Sequence, residues 1–505
     1  MNSRRETNSV AGLDRTGDWS ALDVVVAGIG MSGFAAADAL IQVGARVTVV
    51  DERDDDLERE RAQILEILGA DVRLGAGVTN AVPGRPHLVV TSPGWRPSAP
   101  LLVAAAQAGI PVWGEVELAW RLRDPERPAP WLALTGTNGK TTAVRMLGAM
   151  LRAAGLRVAT AGNVGAPVVS AVLDPEPYDV MALELSSFQL HWTYSMAARS
   201  AAVLNVAPDH LDWHGSLAAY AADKGRIYTG VEAACVYNAA DPQTERLVRA
   251  ADVTEGARAI GFTSGVPSVG MVGVVDGVLV DRAFSPHENA PQAPRFRGDP
   301  EFSERQTTAA ELAAVTDVRP GGPHNVANAL AAAALARSFG VPAIAVRDGL
   351  RAFEPEPHRM TTVGVYGGVT YVDDSKATNA HAAEASLKAF GSVVWIAGGL
   401  AKGAEFDDLV RATSDRLRAA VLIGADREAI GNALARHAPQ IPVVEVSATD
   451  NEAMDHAVGV AAKLAQPGDT VLLAPACASM DMFANYAARG DAFAAALRRR
   501  HGESD

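Results

Sequence analysis

An apolar run, a glycine-bearing turn and a helical stretch recur in that order along this chain, and this alternation constrains the fold more than any other feature. From Leu22, "LDVVVAGIG" leads into "MSGFAAADALIQVG" and then "ARVTVVDER", with "HLVVTSPG" and "IPVWGEVEL" reading as further strands. From Trp131, "WLALTG" leads into "TTAVRMLGAMLRAAG", followed by "YDVMALELSS", "SAAVLNVAPDH" and the long "HNVANALAAAALARSFG". Beyond residue 354 the strand-like runs are "VTYVDDS", "VVWIAGG", "AAVLIG" and "DTVLLAP". Buried strands alternating with helices predict parallel sheets with helices on both faces. The charged, proline-rich "RDPERPAP" and "FEPEPHR" read as breaks between such units. The expected fold is therefore α/β: a disordered tail over residues 1–21, then domains at 22–128, 129–354 and 355–505. The first and third should be Rossmann-like; the second, whose first strand runs into the glycine-lysine-threonine turn "TGTNGKTT", should be an ATPase domain of the phosphate-loop type. Residues 284–311, polar and proline-containing, read as an insertion or loop.

Composition removes several function classes. A net charge of −14 over 505 residues repels a phosphate backbone, so general nucleic-acid binding is not expected. A local basic pocket can still hold a small anion. Cys235 and Cys477 are far apart in sequence and imply no disulfide framework, as in a reducing cytosol. No apolar run approaches the roughly 18 residues of a membrane span, and the N-terminal segment lacks the apolar core of a signal peptide. A cytoplasmic chain with no membrane or nucleic-acid partner is the expectation from composition; a monomer is also expected.

The loop "TGTNGKTT" sits between a strand end and a helix start. Backbone N–H groups point outward there, and the helix dipole favours anions. Lys140 adds a cation and Thr141 a hydroxyl suited to magnesium. The spacing departs from the usual G-x-x-x-x-G-K-[ST], because Leu134 stands where the first glycine belongs. Glu184 ends a buried strand, where open α/β sheets place ligand-binding groups. Asp209, His210, Asp212 and His214 crowd one loop; they admit a zinc reading, although the spacing is not that of a closed four-ligand site. Leu217, Tyr220, Lys224, Ile227 and Tyr228 share a helix face, so Lys224 either snorkels to water or works in a partly dry site. Gly28, Gly30 and Gly33 fit G-x-G-x-x-G with Asp51 downstream. That pattern alone predicts NAD, but the same cradle can hold another diphosphate.

In chain order, T-G-T-N-G-K-T (135–141), E-L-S-S-F-Q-L (184–190), N-x-x-x-D-H-L-D (205–212), Y-x-x-x-K (220–224), G-P-H-N-x-x-N (322–328) and H-R (358–359) resemble the Mur ligase family. These are the ATP-dependent amide ligases of peptidoglycan precursor synthesis, and the shortened phosphate loop is their form. "DDSKATNAHA", "GGLAKGAEF", "APACASMDMF" and Y-A-A-R-G-D-x-F resemble the branch that adds D-glutamate. The alanine and diamino-acid adders typically carry Tyr-Ala-His where this chain has Ser375-Lys376-Ala377. The resemblance covers residues 22–497.

The resemblance implies that ATP converts the carboxylate of UDP-N-acetylmuramoyl-L-alanine to an acyl phosphate, which D-glutamate then attacks. It assigns Lys140, Lys224, His210 and Lys376 to catalysis. Gly136, Thr137, Asn138, Gly139, Lys140, Thr141, Thr142, Asn163, Asn325, Asn328, Arg359 and Asp374 would bind ATP. Two magnesium ions would be held by Thr141, Glu184, His210 and Lys224, the last as a carbamate, because an ammonium cannot ligate a metal and a hard cation prefers oxygen. Gly30, Met31, Ser32, Asp51, Arg53, Thr91, Ser92 and Gly94 would line the UDP site. Thr378, Lys402, Ser479 and Tyr486 would receive D-glutamate. The competing readings are another member of the family or, from a different class, an NAD-dependent oxidoreductase.

Overall fold

The computed structural model describes residues 10–284, 309–355, 357–446 and 453–502. The chain carries three α/β sheets, as the alternation predicts. It divides into two compact units, one spanning Met1–Val318 and Val326–Phe353, the other Arg319–Asn325 and Glu354–Asp505.

The first sheet contains β1 (Asp23–Ala27), β2 (Arg46–Asp51), β3 (Asp71–Leu74), β4 (Leu88–Thr91) and β5 (Val112–Gly114). Its order is β3-β2-β1-β4-β5 and every pairing is parallel. The order reverses between β1 and β4, and the glycine turn leaves the carboxyl end of β1, where such sheets bind ligands. The run "EVEL" is a correction. It begins the helix Glu115–Arg121, with extended Gly114 at its N-cap and two carboxylates in its first turn. Acidic residues there complement the helix dipole. The same two carboxylates reach the second domain: Glu115 accepts the Val169 N–H at 2.6 Å, and Glu117 accepts those of Tyr194 and Ser195 at 2.8 and 2.9 Å. The expected disordered tail is also corrected over its described part. Residues 10–21 contain two short 3-10 turns, Val10–Gly12 and Trp19–Ala21, with Trp19 1% exposed and its indole N–H donated to the Asp14 carbonyl. Residues 1–9 lie outside the described residues.

The second sheet holds β6 (Trp131–Thr135), β7 (Val158–Gly162), β8 (Val180–Glu184), β9 (Ser200–Val203), β10 (Ala234–Asn238), β11 (Arg258–Phe262), β12 (Met271–Val275), β13 (Val278–Asp281) and β14 (Ala310–Ala314). Its order is β14-β13-β12-β11-β10-β9-β6-β8-β7. The sheet is parallel except at β12–β13–β14. Of the expected insertion at 284–311, residues 285–308 lie outside the described residues, while 310 and 311 open the edge strand β14 rather than lying in a loop. The alanine-rich helix Pro323–Ser338 is so uniformly apolar from Ala329 to Ala336 that it is buried on every side there.

In the second unit, β15 (Thr361–Tyr366), β16 (Val369–Asp373), β17 (Val393–Gly398), β18 (Leu417–Ile423), β19 (Val443–Glu445) and β20 (Thr470–Leu473) take the order β15-β16-β20-β17-β18-β19. Only β15 is antiparallel. The loops after β16, β17 and β20 therefore leave the same edge of the sheet.

Candidate active site

At the first domain's glycine turn, Gly28 has φ +98° and its N–H is bonded to the Val50 carbonyl at 2.8 Å. A Cβ on Gly33 would lie 1.8 Å from the Gly28 carbonyl oxygen, so only glycine lets the helix Met31–Gln42 approach β1 this closely. Gly30 is that helix's N-cap, Met31 is exposed and Ser32 half-buried. The buried Asp51 carboxylate serves the turn itself. Its Oδ2 accepts the Ile29 N–H at 2.9 Å and its Oδ1 the Arg53 N–H at 3.0 Å. The Arg53 guanidinium bridges Asp51 and Glu58 at 3.3 and 3.0 Å. Thr91 is buried at the end of β4, the Ser92 hydroxyl faces the Gly28 carbonyl at 3.4 Å, and Gly94 is exposed. The acid of the dinucleotide fingerprint is thus occupied in shaping the cradle.

The second domain's loop is held from below by the segment after β9. Thr137 N–H donates to the Asn205 carbonyl at 3.0 Å, and Asn138 N–H donates to the Asn205 side chain at 2.8 Å. The Thr137 hydroxyl lies 3.1 Å from both the Ala207 carbonyl and the Tyr220 hydroxyl. Gly139 has φ +81°, and a Cβ there would sit 2.1 Å from the Asn328 side-chain oxygen, so Asn328 packs directly on the loop. Lys140 starts the helix Lys140–Ala153 and curls back, its Nζ 2.9 Å from the Gly136 carbonyl and 3.0 Å from that of Thr137. Thr141 and Thr142 are buried in the first turn.

Lys224 reaches the same carbonyl. Its Nζ is 2.8 Å from Gly136 O, the residue is 1% exposed, and the ammonium lies 4.4 Å from the Tyr220 ring centroid. This excludes snorkelling. Burial, reinforced by the charge of Lys140, pushes the Lys224 amine well below its ordinary pKa; Asp209, Glu184 and Asp223 oppose that shift. Glu184 is 1% exposed. Its Oε1 accepts the Asn163 side-chain amide at 3.0 Å, while its Oε2 is buried with no hydrogen-bond partner among the described residues. Asn163 itself is exposed, tied to the Glu184 backbone at 2.8 Å.

The zinc reading fails. Among the described residues no three His, Cys, Asp or Glu side chains form a group able to hold a metal. The four candidates point apart: Asp212 pairs with Arg96 at 2.6 Å, while His214 turns inward to Asp223 and Ser187 at 2.9 and 3.0 Å. His210, in the left-handed region at φ +51°, lies beside Asp209 at 3.6 Å, with its ring edge-on to Phe188. Asp223 also accepts His191 at 2.9 Å. Burial works against the Asp223 charge, but the two histidine bonds outweigh it and hold that carboxyl at about 2. This network pins the helix Leu217–Gly225, and with it Lys224, to the helix Ser187–His191.

In the second unit, the loops at the common sheet edge are tied together. Ala476 N–H donates to the Ala377 carbonyl at 2.9 Å, and Leu400 and Ala478 exchange two backbone bonds at 2.9 and 3.0 Å. These ties gather Lys376 and Thr378 after β16, exposed Lys402 (φ +52°) after β17, and buried Ser479 after β20. The Lys376 Nζ is 5.1 Å from the ring centroid of Tyr486, whose carbonyl accepts the Ser375 hydroxyl at 2.7 Å. Asp374 is buried and accepts from the Met360 N–H at 3.1 Å and the Ser386 hydroxyl. Burial raises its carboxyl to about 6 against those bonds and the charge of Arg359. Asn325 is buried near the start of its helix. Sequence reasoning assigned no role to Asn205, Asp223 or Arg489. Arg489 could have been found by the signal that marked Lys224, since Arg489, Phe493 and Leu497 recur every four residues on a buried stripe.

A parallel α/β architecture with a glycine-lysine-threonine loop at a strand–helix junction defines a nucleotide-using enzyme of the phosphate-loop class. Family models narrow the class. Residues 22–114 match the Mur ligase MurD-like N-terminal domain, 134–269 the Mur ligase middle domain, and 358–477 the Mur ligase glutamate ligase domain. The chain belongs to the Mur ligase family of ATP-dependent ligases. Two proteins named UDP-N-acetylmuramoylalanine--D-glutamate ligase resemble it over nearly their whole length. That of Streptomyces avermitilis is 62% identical, covering 95% of this chain and 99% of its own. That of Streptomyces coelicolor is 61% identical, covering 95% and 98%. Among solved structures, the MurF ligase of Thermotoga maritima in complex with ADP has a TM-score of 0.54 at 16% identity, covering 90% of this chain and 96% of its own. The UDP-N-acetylmuramate-alanine ligase of the same organism has a TM-score of 0.51 at 17% identity, covering 95% and 99%. These two likenesses establish the shared fold.

Proposed function

We propose that this chain adds D-glutamate to UDP-N-acetylmuramoyl-L-alanine at the expense of ATP, in cytoplasmic synthesis of peptidoglycan precursors, acting as a monomer. The reading rests most on one observation: Lys140 and Lys224 converge on the Gly136 carbonyl, in the loop that leads into a helix. Making an acyl phosphate requires an anionic carboxylate to approach an anionic γ-phosphate, and clustered cations and backbone donors are what lower that barrier. The names of the similar proteins supply the substrates.

The chain's own groups take the following roles. The loop from Gly136 to Thr142 wraps the phosphates, with Thr137 and Asn138 N–H groups anchoring it to Asn205 and the N–H groups from Gly139 to Thr142, at the helix start, donating to phosphate; Lys140 neutralises the charge. Asn163, Asn325, Asn328, Arg359 and Asp374 bind the rest of the nucleotide. The glycine cradle with Met31, Ser32, Asp51, Arg53, Thr91, Ser92 and Gly94 receives the uridine diphosphate. Thr378, Lys402, Ser479 and the backbone at Tyr486 hold the two carboxylates of D-glutamate, with Lys376 alongside.

Magnesium fits the residues present. The unpartnered Glu184 Oε2 and the Thr141 hydroxyl are hard oxygen donors, too few to hold the ion without phosphate oxygens, which is how this metal is usually bound. Bound there, it would supply charge neutralisation between phosphate groups. His210 and Lys224 are the proposed holders of a second ion, Lys224 as a carbamate. The downward shift of the Lys224 amine raises its neutral, CO₂-reactive fraction at neutral pH.

The test is magnesium- and ATP-dependent phosphate release with UDP-N-acetylmuramoyl-L-alanine across a panel of amino acids. D-glutamate alone should support turnover. Release with L-alanine as acceptor substrate, or with a diamino acid instead of D-glutamate, would overturn the substrate assignment. Isothermal titration should show ATP binding and no NAD binding.

A further inference from the structure

We infer that Arg489 is a positioning residue for the amino-acid substrate, aligning the three loops that receive it; the inference rests on the D-glutamate site proposed above. Arg489 is 1% exposed, yet it lies on a helix that begins only at Tyr486. Its Nε donates to the Ser375 hydroxyl at 3.0 Å and its Nη2 to the Ser375 carbonyl at 2.9 Å. Its Nη1 points at the Cys477 carbonyl at 3.1 Å and the Gly398 carbonyl at 3.5 Å. One guanidinium thus joins the loop after β16, the end of β17 and the loop after β20. Those segments carry Lys376 and Thr378, lead to Lys402, and carry Ser479. Ser375 closes the knot by donating its hydroxyl to the Tyr486 carbonyl at 2.7 Å.

The choice of residue is informative. All of these acceptors are neutral, although burying an uncompensated cation is unfavourable. Burial lowers the Arg489 pKa to about 10, which still leaves it charged; Cys477, Asp481 and Asp373 oppose that shift only at longer range. Packing alone would be served better by an apolar side chain at this point of the Phe493–Leu497 stripe. A planar fork spreads five donors over a rigid plane and so reaches three separated backbone segments, whereas a lysine's three donors all sit on one nitrogen. A buried positive charge beside a site for a dicarboxylate also adds a favourable field for that substrate.

The experiment compares Arg489→Met, Arg489→Lys and Ser375→Ala with the wild type, measuring KM for D-glutamate, ATP and UDP-N-acetylmuramoyl-L-alanine separately, with melting curves alongside. Misplacing a binding group by a fraction of an ångström is felt strongly, so Arg489→Met should raise KM for D-glutamate by about 10-fold or more, with the other two KM values within about 2-fold. Arg489→Lys should recover part of that loss through its charge, and Ser375→Ala should show a smaller, equally selective rise. If Arg489→Met does not fold, the other two variants carry the test. A parallel rise of all three KM values, or a fall in kcat with KM for D-glutamate unchanged, would overturn the inference. Should the wild type turn over a different amino acid, the substrate reading falls, and the same selectivity is then read with that amino acid.

Discussion

The Nζ of Lys224 donates to the Gly136 carbonyl at 2.8 Å, joining a helix on one side of the central sheet to the first residue of the phosphate loop. A second ammonium, that of Lys140, lies 2.9 Å from the same oxygen. Two like charges on one carbonyl would repel in the absence of anions, which is why the Lys224 amine is driven toward its neutral form by burial and by Lys140 together.

Replacing Lys224 with methionine or alanine should therefore lower kcat by about 10³-fold, the scale on which removal of a transition-state charge stabiliser is felt. Enzyme equilibrated with ¹³C-labelled bicarbonate should show a carbamate resonance that both variants lack. Millimolar chloride or formate should restore part of the Lys224→Ala activity. Full activity in that variant without any added anion would contradict the role.

The loop and Lys224 were legible in the sequence because their signals are local. Gly-Lys-Thr-Thr after an apolar strand needs no distant partner, and the recurrence of Leu217, Tyr220, Lys224 and Ile227 placed the lysine on the buried face. The misreadings concern partners far along the chain. "VWGEVEL" alternates with a period of two and looks like a strand, because nothing nearby reveals that Glu115 and Glu117 accept N–H groups from Val169, Tyr194 and Ser195. The 209–214 loop looked like a possible zinc site because spacing does not give direction; His214 faces inward to Asp223 while Asp212 faces Arg96. Trp19 escaped notice because one buried indole anchors an otherwise polar segment.

Gly139 has φ +81°, and a methyl there would meet the Asn328 side-chain oxygen at 2.1 Å. The left-handed conformation alone disfavours alanine by roughly 1–2 kcal/mol, and displacing Asn328 adds to it, so Gly139→Ala should weaken binding of a non-hydrolysable ATP analogue by about 10-fold or more. Titration calorimetry measures this directly. Unchanged affinity would show that the loop carries no nucleotide.

Glu115 offers a pH test remote from chemistry. Burial raises its carboxyl to about 7, against the hydrogen bonds from the Val169 and Val168 N–H groups. The folded state then binds a proton more tightly than the unfolded chain does. This contribution is fully present below the ordinary value of 4.5 and is lost as pH rises toward about 7. Glu115→Gln keeps an acceptor oxygen and removes the charge, so it should stabilise the first unit at pH 8 by on the order of 1–3 kcal/mol, with little gain at pH 4. Denaturant melts of both proteins at the two pH values check the sign.

The measurement closest to the central claim follows oxygen. UDP-N-acetylmuramoyl-L-alanine labelled with ¹⁸O in its terminal carboxylate is turned over with ATP, magnesium and D-glutamate, and the released phosphate is read by ³¹P NMR. If the loop and its two lysines bring the carboxylate to the γ-phosphate, each phosphate leaves carrying one oxygen from that carboxylate. Release of unlabelled phosphate alongside amide formation would contradict the account.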